Sequence, residues 1–279
     1  MNLQELRTFL TIVETGSLVR ASAVLNVTQS TVTARLKTLE ETLGQTLLIR
    51  SKSGATLTAA GLRLHRYADT ITDLWQQARQ EVSLPDGMSG ICNLACCFDL
   101  WPHLGDEFFQ TMQASLPDLA ISVWLGSQTE VTSWLESGKA DLALTYRPST
   151  SARQDQIMLR AEQLALYATT PDSPLRFNPG YVYIEAGNTF GRDHAVAFAD
   201  ASPTRLSFGN AATGLAHILR EGGSAYLTDR MAAPHVTEKT LFALDEAPKF
   251  SRDVYLTFNK AARLKWDWFD ALAATLPQK

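Results

Sequence analysis

Residues 18–37, LVRASAVLNVTQSTVTARLK, restrict the folds open to this chain more than any other stretch. Leu18, Ala21 and Leu25 recur at helical intervals, and Val32, Leu36, Leu39 and Leu43 do so again, so two amphipathic helices can pack their apolar stripes together. Asn26-Val27-Thr28 supplies the break between them. Asn26 tolerates the left-handed backbone that ends a helix, and the Thr28 hydroxyl can satisfy an orphan N–H at the start of the next. The second helix is therefore expected to begin near Gln29, and the pair to meet at the sharp turn of a helix-turn-helix.

The first turns of that second helix carry Gln29, Ser30, Thr31, Thr33 and Arg35 on the side away from the stripe. Gln can bond adenine in two places, Arg can bond guanine, and hydroxyls can bond bases or phosphate, so the set suits duplex DNA. A helical hairpin with a solvated polar face fits the same periodicity. The flanks favour the first reading. Leu3, Leu6, Phe9, Leu10 and Val13 put another amphipathic helix over 3–14, and 47–57 (LLIRSKSGATL) reads as a two-stranded wing with Arg50 and Lys52 at its basic tip. Residues 1–66 hold eight Lys/Arg against four Asp/Glu, leaving 17 against 25 in the remainder of a chain whose totals are 25 and 29. Positive charge is concentrated where DNA contact is expected, and a net charge of −4 argues against a general polyanion binder.

In this order, these elements resemble the DNA-binding domain of the LysR-type transcriptional regulators. The family's pattern stands here as Ala21-Ser22, Thr28-Gln29-Ser30, Leu39-Glu40, Leu43-Gly44, Leu47-Leu48-Ile49-Arg50 and Leu57-Thr58-Ala59-Ala60-Gly61. Ser22, Thr33 and Leu48 depart from it, each by a small change of volume or chemistry. The resemblance implies that Thr28, Gln29, Ser30, Thr31, Thr33 and Arg35 meet DNA from the recognition helix, with Arg50 and Lys52 reaching it from the wing.

Between 58 and 82 there is no Pro, and Leu64, Tyr67, Ile71, Leu74, Ala78 and Val82 follow at spacings of three and four. That seam suits a partner helix, or packing on the chain's own second domain. The resemblance implies a linker helix that makes a homodimer or homotetramer, and two-fold symmetry doubles the contacts of one winged domain. Pro85, Gly87 and Gly90 then mark a boundary. The expected organisation is a winged helix-turn-helix domain at 1–58, a linker helix at 59–87 and a further domain at 88–279.

In that last domain, strand-like runs at 91–97, 120–125 and 141–146 alternate with helical patterns at 100–115 and 128–137. The alternation repeats at 181–184, 189–199, 205–208, 211–221 and 224–227, while 159–168 and 250–258 cross between the two sets and a helix over 261–276 closes the chain. A mostly parallel sheet in two α/β lobes follows, approximately 88–160 with 255–279, and 161–254. It resembles the periplasmic-binding-protein-like effector domain of the same family. The expected fold class is thus mixed: an all-α winged helix-turn-helix domain, a long linker helix and a two-lobed α/β effector domain.

A cleft between such lobes is a common seat for a small-molecule effector. By topology its candidates are Asp99, Leu100, Ser127, Gln128, Thr129, Tyr146 and Arg147 from the first lobe, and Ser207, Asn210 and Thr228 from the second. Ser127 and Thr129 at a helix start, with Arg147 near, can hold a carboxylate; the hydroxyls can equally be simple caps. Asp99, beside Phe98 and Trp101, works against an anion: it selects a cation, shrinks the pocket or leaves it without a small ligand.

Catalysis finds little support. His65, His103, His194, His217 and His235 are dispersed without metal-ligand spacing, and there is no nucleophile elbow or phosphate loop, so neither cofactor nor metal is expected. Cys92, Cys96 and Cys97 lie on one strand, where neighbours rarely bridge, and the chain starts on a polar segment, so a reduced, cytoplasmic protein is expected. Redox sensing through Cys96 or Cys97 is a lesser alternative. No apolar run approaches the ~20 residues that span a bilayer. Two classes of function compete: a transcriptional regulator binding a promoter dyad, and a cytoplasmic small-molecule-binding or enzymatic α/β protein with an incidental helical head.

Overall fold

Contacts divide the chain into two units, Met1–Asp86 and Gly87–Lys279, and the computed structural model describes residues 2–51, 54–175, 180–199 and 204–277 of them.

In the first unit, α1 (Leu3–Thr15) starts on Asn2, whose side chain accepts from Gln4 N while Glu5 reaches back to Asn2 N. Two orphan donors are satisfied at once. Ser17 caps α2 (Leu18–Val24), and Asn26 takes the left-handed conformation (φ 52°) that the sequence calls for there. Thr28 caps α3 (Gln29–Leu43), which ends on a left-handed Gly44. Leu6, Phe9, Ile12, Ala21, Val32, Leu36 and Leu39 form the buried core where the three helices meet. The wing follows as antiparallel β1 (Leu48–Ser51) and β2 (Gly54–Leu57), paired from Leu48↔Leu57 to Ser51↔Gly54.

Helix α4 (Ala59–Val82) then runs for 24 residues. The seam expected along it divides between two surfaces. Leu64, Ala68 and Ile71 pack onto the core of the first unit, whereas Tyr67, Leu74, Trp75 and Val82 are exposed. Burying one such side chain is worth about 1.5–3 kcal/mol, so the exposed row is costly to leave in water.

The second unit begins with β3 (Gly90–Cys97), a 3-10 turn at Phe98–Leu100 and a π turn at Trp101–Gly105. Next come α5 (Asp106–Ser115), β4 (Leu119–Gly126), α6 (Gln128–Ser137) and β5 (Leu142–Thr145). The helix expected from residue 100 thus starts regular winding only at 106. Pro102 lacks the N–H that a continuous helix would use. Strand β3 lies parallel to both β4 and β5.

The long β6 (Gln154–Ala168) leaves this lobe. It is followed by β7 (Val182–Ile184), α7 (Asn188–Ala197), β8 (Leu206–Phe208), α8 (Ala211–Glu221), β9 (Ser224–Thr228), α9 (Asp229–Thr237) and β10 (Phe242–Ala243). The chain returns on β11 (Phe250–Asn259) and ends with α10 (Lys260–Arg263) and α11 (Phe269–Ala273). Helix α9, with Pro234 inside it, has no counterpart in the sequence reading.

The sheet is mixed, not mostly parallel: β6 pairs antiparallel with β11, β9 and β10, and β11 antiparallel with β5. Two strands that carry the chain out of one lobe and back must run in opposite directions, and here they pair with each other for most of their length. One core gathers Leu94, Leu142, Leu144, Leu159, Val254 and Leu256; others gather Ala165, Leu215, Ile218 and Leu227, and Leu166, Phe190 and Tyr226. The single closing helix is also corrected. Leu264 is exposed, while Trp266, stacked on both Trp268 and Phe269, fills the core together with Phe269. Arg263 draws the chain into that turn by donating to Trp266 O (2.8 Å) and to Asp270 Oδ2 (2.6 Å).

His194 on α7 stands among the rings of Tyr181, Tyr183, Phe190, Phe198, Tyr226 and Phe250, with Nε2 2.8 Å from the Tyr181 hydroxyl. Burial holds its pKa below the ordinary imidazole value. The unfolded chain takes up a proton that the folded chain refuses. This part of the stability is therefore complete above about pH 6.5 and is lost as the pH falls toward the lower folded-state pKa. Urea melts at about pH 7.5 and about pH 5.5 are expected to show that loss and His194→Phe to flatten it; an unaltered slope in the variant excludes His194 as the source.

Candidate functional site

The first candidate surface is the start of α3. Gln29 and Ser30 are exposed, and Thr31, Thr33 and Arg35 half-buried. The Thr28 hydroxyl accepts from Thr31 N (3.2 Å) and shares hydrogen bonds with Ser30 Oγ (2.8 Å) and Thr31 Oγ1 (2.9 Å). Three hydroxyls are therefore clustered over the helix N-terminus, which is partly positive. Arg35 turns the other way: its Nη2 donates to Gln4 Oε1 (2.9 Å) on α1. Lys52 lies outside the described residues, as does the side chain of Arg50; the Arg50 backbone is in β1.

Two residues not singled out from the sequence hold the wing in place. Glu40 Oε1 on α3 accepts from Leu47 N (2.7 Å) and Leu48 N (3.3 Å) where β1 begins. Gly16 O, in the turn between α1 and α2, accepts from Ala55 N (2.8 Å) on β2. The wing is therefore fixed to both the recognition helix and the first turn of the motif.

The second candidate is a cleft of about 610 Å³ in the second unit. Asp99, Ser127, Gln128, Thr129, Tyr146, Arg147 and Asn210 line it, as the topology suggested. Leu100, Ser207 and Thr228 do not. Leu100 points into the first lobe's core, Ser207 stands on β8 where it pairs with Tyr183, and Thr228 caps α9 beside a separate cavity of about 260 Å³. A residue at a strand end can face either the cleft or the lobe behind it, and topology alone does not distinguish the two.

Ser127 serves as a cap. Its hydroxyl accepts from Glu130 N (3.4 Å), and the Glu130 carboxylate accepts from Ser127 N (2.8 Å) and Oγ (2.7 Å). These hydrogen bonds hold the Glu130 carboxyl below its usual range. Gln128 is a strut between loops: Oε1 accepts from Tyr146 N (2.8 Å), and Nε2 donates to Thr132 Oγ1 (3.1 Å).

The cleft's central cation, Arg252 on β11, lies on a crossing strand that the sequence offered only as a connection. It is 7% exposed. Its Nη2 donates to Glu162 Oε2 (2.8 Å), its Nη1 lies 3.8 Å from Asp99 Oδ2, and its guanidinium stacks 3.6 Å from the centre of the Tyr146 ring. Asp99 Oδ1 accepts from Ala211 N (2.9 Å) and Asn210 Nδ2 (3.1 Å). Burial pushes the Asp99 carboxyl up, and the Ala211 hydrogen bond and Arg252 pull it back. Glu185, Phe190, Asp253 and Tyr255 complete the lining on the second lobe and the crossing strand.

Cys92, Cys96 and Cys97 are free and buried. Burial raises all three thiols, Cys97 to about 12. They therefore stay protonated and poorly nucleophilic, the reverse of a redox sensor's thiolate. Among the described residues, no group of His, Cys, Asp and Glu is arranged to hold a metal ion, and no helix is long and apolar enough to cross a membrane.

Residues 3–62 match the family described as bacterial regulatory helix-turn-helix protein, lysR family. The chain is 30% identical over 155 residues to the HTH-type transcriptional regulator IlvY of Escherichia coli K12, in a match covering 54% of this chain and 51% of IlvY. It is 28% identical over 198 residues to the HTH-type transcriptional regulator HdfR of Escherichia coli O139:H28, covering 70% of each. The chain thus spans about half the length of the IlvY relatives it matches. In fold it is similar to full-length CbnR crystallised with its target DNA, with a TM-score of 0.71 and 18% identity over 99% of this chain and all of CbnR. The motif order of 18–61, the three helices with their wing and these likenesses agree: residues 3–62 form a helix-turn-helix domain of the bacterial regulatory lysR family.

Proposed function

We propose that this protein is a DNA-binding transcriptional regulator, not an enzyme, that acts in the bacterial cytoplasm and whose second unit sets when it acts. The observation that carries the proposal is the start of α3. Its exposed Gln29 and Ser30, and the hydroxyls of Thr28, Thr31 and Thr33, stand on a helix that a buried core holds rigidly. Such a helix can enter a major groove, with Gln29 positioned to read a base edge and the hydroxyls to meet bases or phosphate. Arg35 joins them once it exchanges Gln4 for phosphate, and Arg50 and Lys52 approach from the wing. In this reading 1–58 binds DNA, 59–87 is the linker helix, and 88–279 is the effector domain, with its lobes near 88–160 plus 255–279 and 161–254.

Two further features support it. The exposed Tyr67, Leu74, Trp75 and Val82 on α4 suit a homodimer or homotetramer, which would read an interrupted dyad. The cleft has the volume of a small-molecule site, and an effector that binds one lobe arrangement better than another shifts the equilibrium between them.

Purified full-length protein incubated with sheared genomic DNA is expected to enrich fragments sharing an interrupted dyad. On such a fragment Gln29→Ala is expected to weaken binding about tenfold or more, since one bidentate base contact is worth ~1–3 kcal/mol, while the salt dependence from phosphate contacts persists. Enrichment of no common sequence, or full site-specific affinity in Gln29→Ala, overturns the reading.

A further inference from the structure

Asp99 leaves the first lobe just after β3, and its carboxylate is carried across to the second lobe, onto the first turn of α8. There Oδ1 takes two hydrogen bonds, from the Ala211 backbone and the Asn210 amide. Its Oδ2 faces the guanidinium of Arg252. A helix-start N–H, a side-chain amide and a buried guanidinium converging on two oxygens make a donor set that fits a carboxylate of any origin. In this chain the carboxylate belongs to the protein.

Little is left for a second anion. Arg252 is committed to Glu162 and Asp99 through its terminal nitrogens and to Tyr146 through its face. The other charged groups lining the cavity are Arg147, Glu185 and Asp253, all exposed, so acids outnumber bases at its rim. Yet the centre is not saturated. Arg252 Nε and the Tyr146 hydroxyl are buried without a hydrogen-bond partner, a costly state that a neutral ligand oxygen would relieve once the lobes parted enough to admit it.

We propose that Asp99 is a built-in anion that fills the carboxylate seat of this cleft and ties its two lobes together, so that the cleft refuses small acids and takes an effector without an acid group. The inference rests on reading the cleft as the effector site. An external carboxylate must displace one that is tethered beside the same donors at an effective concentration in the millimolar range or above. A ligand with a hydroxyl or carbonyl oxygen meets no such competition.

The test uses the full-length protein, with acetate as the probe and chloride at matched ionic strength as the reference. The melting of the second unit is followed by tryptophan fluorescence. The wild type is expected to melt at one temperature in both salts. Asp99→Ala vacates the seat and is expected to gain a saturable stabilisation by acetate, on the order of 5 °C near saturation. Asn210→Ala in the same background removes a donor and should abolish most of that gain. Asp99→Asn keeps the seat filled by a neutral isostere and should stay unresponsive; Asp99→Ser gives the same reading as Asp99→Ala should the latter fail to fold. Equal acetate responses in wild type and Asp99→Ala, or no response in either Asp99→Ala or Asp99→Ser, overturn the inference. Binding of the wild type to its enriched DNA fragment is scored separately: its loss overturns the regulator reading, while a failed acetate gain beside intact DNA binding overturns only the role of Asp99.

Discussion

Arg252→Met is expected to destabilise the second unit by about 3–5 kcal/mol, the cost of removing one partner from a buried ion cluster. Methionine fills a similar volume, so the loss is electrostatic rather than steric. Glu162 keeps its charge with 12% exposure of its side chain and loses its 2.8 Å partner. Asp99 retains Asn210 and Ala211 but loses the charge opposite Oδ2. Adding Glu162→Leu to Arg252→Met should recover much of the loss, because an uncompensated buried charge costs more than an apolar pair. Five of the six tryptophans (101, 124, 134, 266 and 268) lie in this unit, so urea melts followed by tryptophan fluorescence read it directly. A loss below about 1 kcal/mol in Arg252→Met would show that the cluster is not holding the cleft together.

Gly61→Ala is expected to destabilise the first unit by about 1–2 kcal/mol, although alanine is ordinarily the better helix residue by ~1 kcal/mol. The opposing term is overpacking, about 1–3 kcal/mol where the neighbour cannot give way. A Cβ on Gly61 runs into the carbonyl oxygen of Leu47 and also crowds a Leu57 methyl. That carbonyl is backbone, and it already accepts from Thr58 N (2.9 Å) and Thr58 Oγ1 (3.2 Å), so a retreat breaks the joint between wing and α4. Urea melts followed by helical circular dichroism check the value, with DNA affinity falling in parallel. A variant more stable than wild type would show that the crowding at Leu47 is easily relieved.

The same joint shows why the first unit was so readable. Leu57-Thr58-Ala59-Ala60-Gly61 encodes a strand end, a helix cap and a close approach within five residues, and the structure uses them so: Thr58 Oγ1 accepts from Gly61 N (2.9 Å). Asn26, Thr28 and Gly44 are legible for the same reason, since caps and left-handed turns are decided locally. Glu40 is visible in the sequence only as part of a motif, because its bonds to Leu47 and Leu48 cross a turn that periodicity does not describe.

In the second unit the order of strands and helices could be read, but the side chains that meet could not. Asp99 and Asn210 were both proposed, yet their pairing joins residues 111 apart. Arg252 is not legible in the sequence, because Ser251, Arg252 and Asp253 look like a solvated stretch of strand until Glu162 is brought opposite. The closing segment is legible only in part: of the helically spaced Leu264, Trp268, Leu272 and Leu276, Leu272 and Leu276 reach the core and Trp268 packs against it, but Leu264 is exposed and the core also takes Trp266 and Phe269, which lie off that stripe.

The pairing of β6 with β11 slips between Arg252, opposite Glu162, and Val254, opposite Leu159. At the slip Arg160 N leaves the ladder and bonds Pro277 O (2.7 Å). An irregularity of this kind bends and overtwists a ribbon locally. The lobes are joined by one two-stranded ribbon with an irregular point, so a relative movement of the lobes would be torsion about that point rather than the swing of two loose threads. Arg252 sits at its edge. A molecule that altered what the guanidinium holds would therefore act beside the irregular point of the ribbon, where a small displacement in the cleft would be converted into an angle between the lobes.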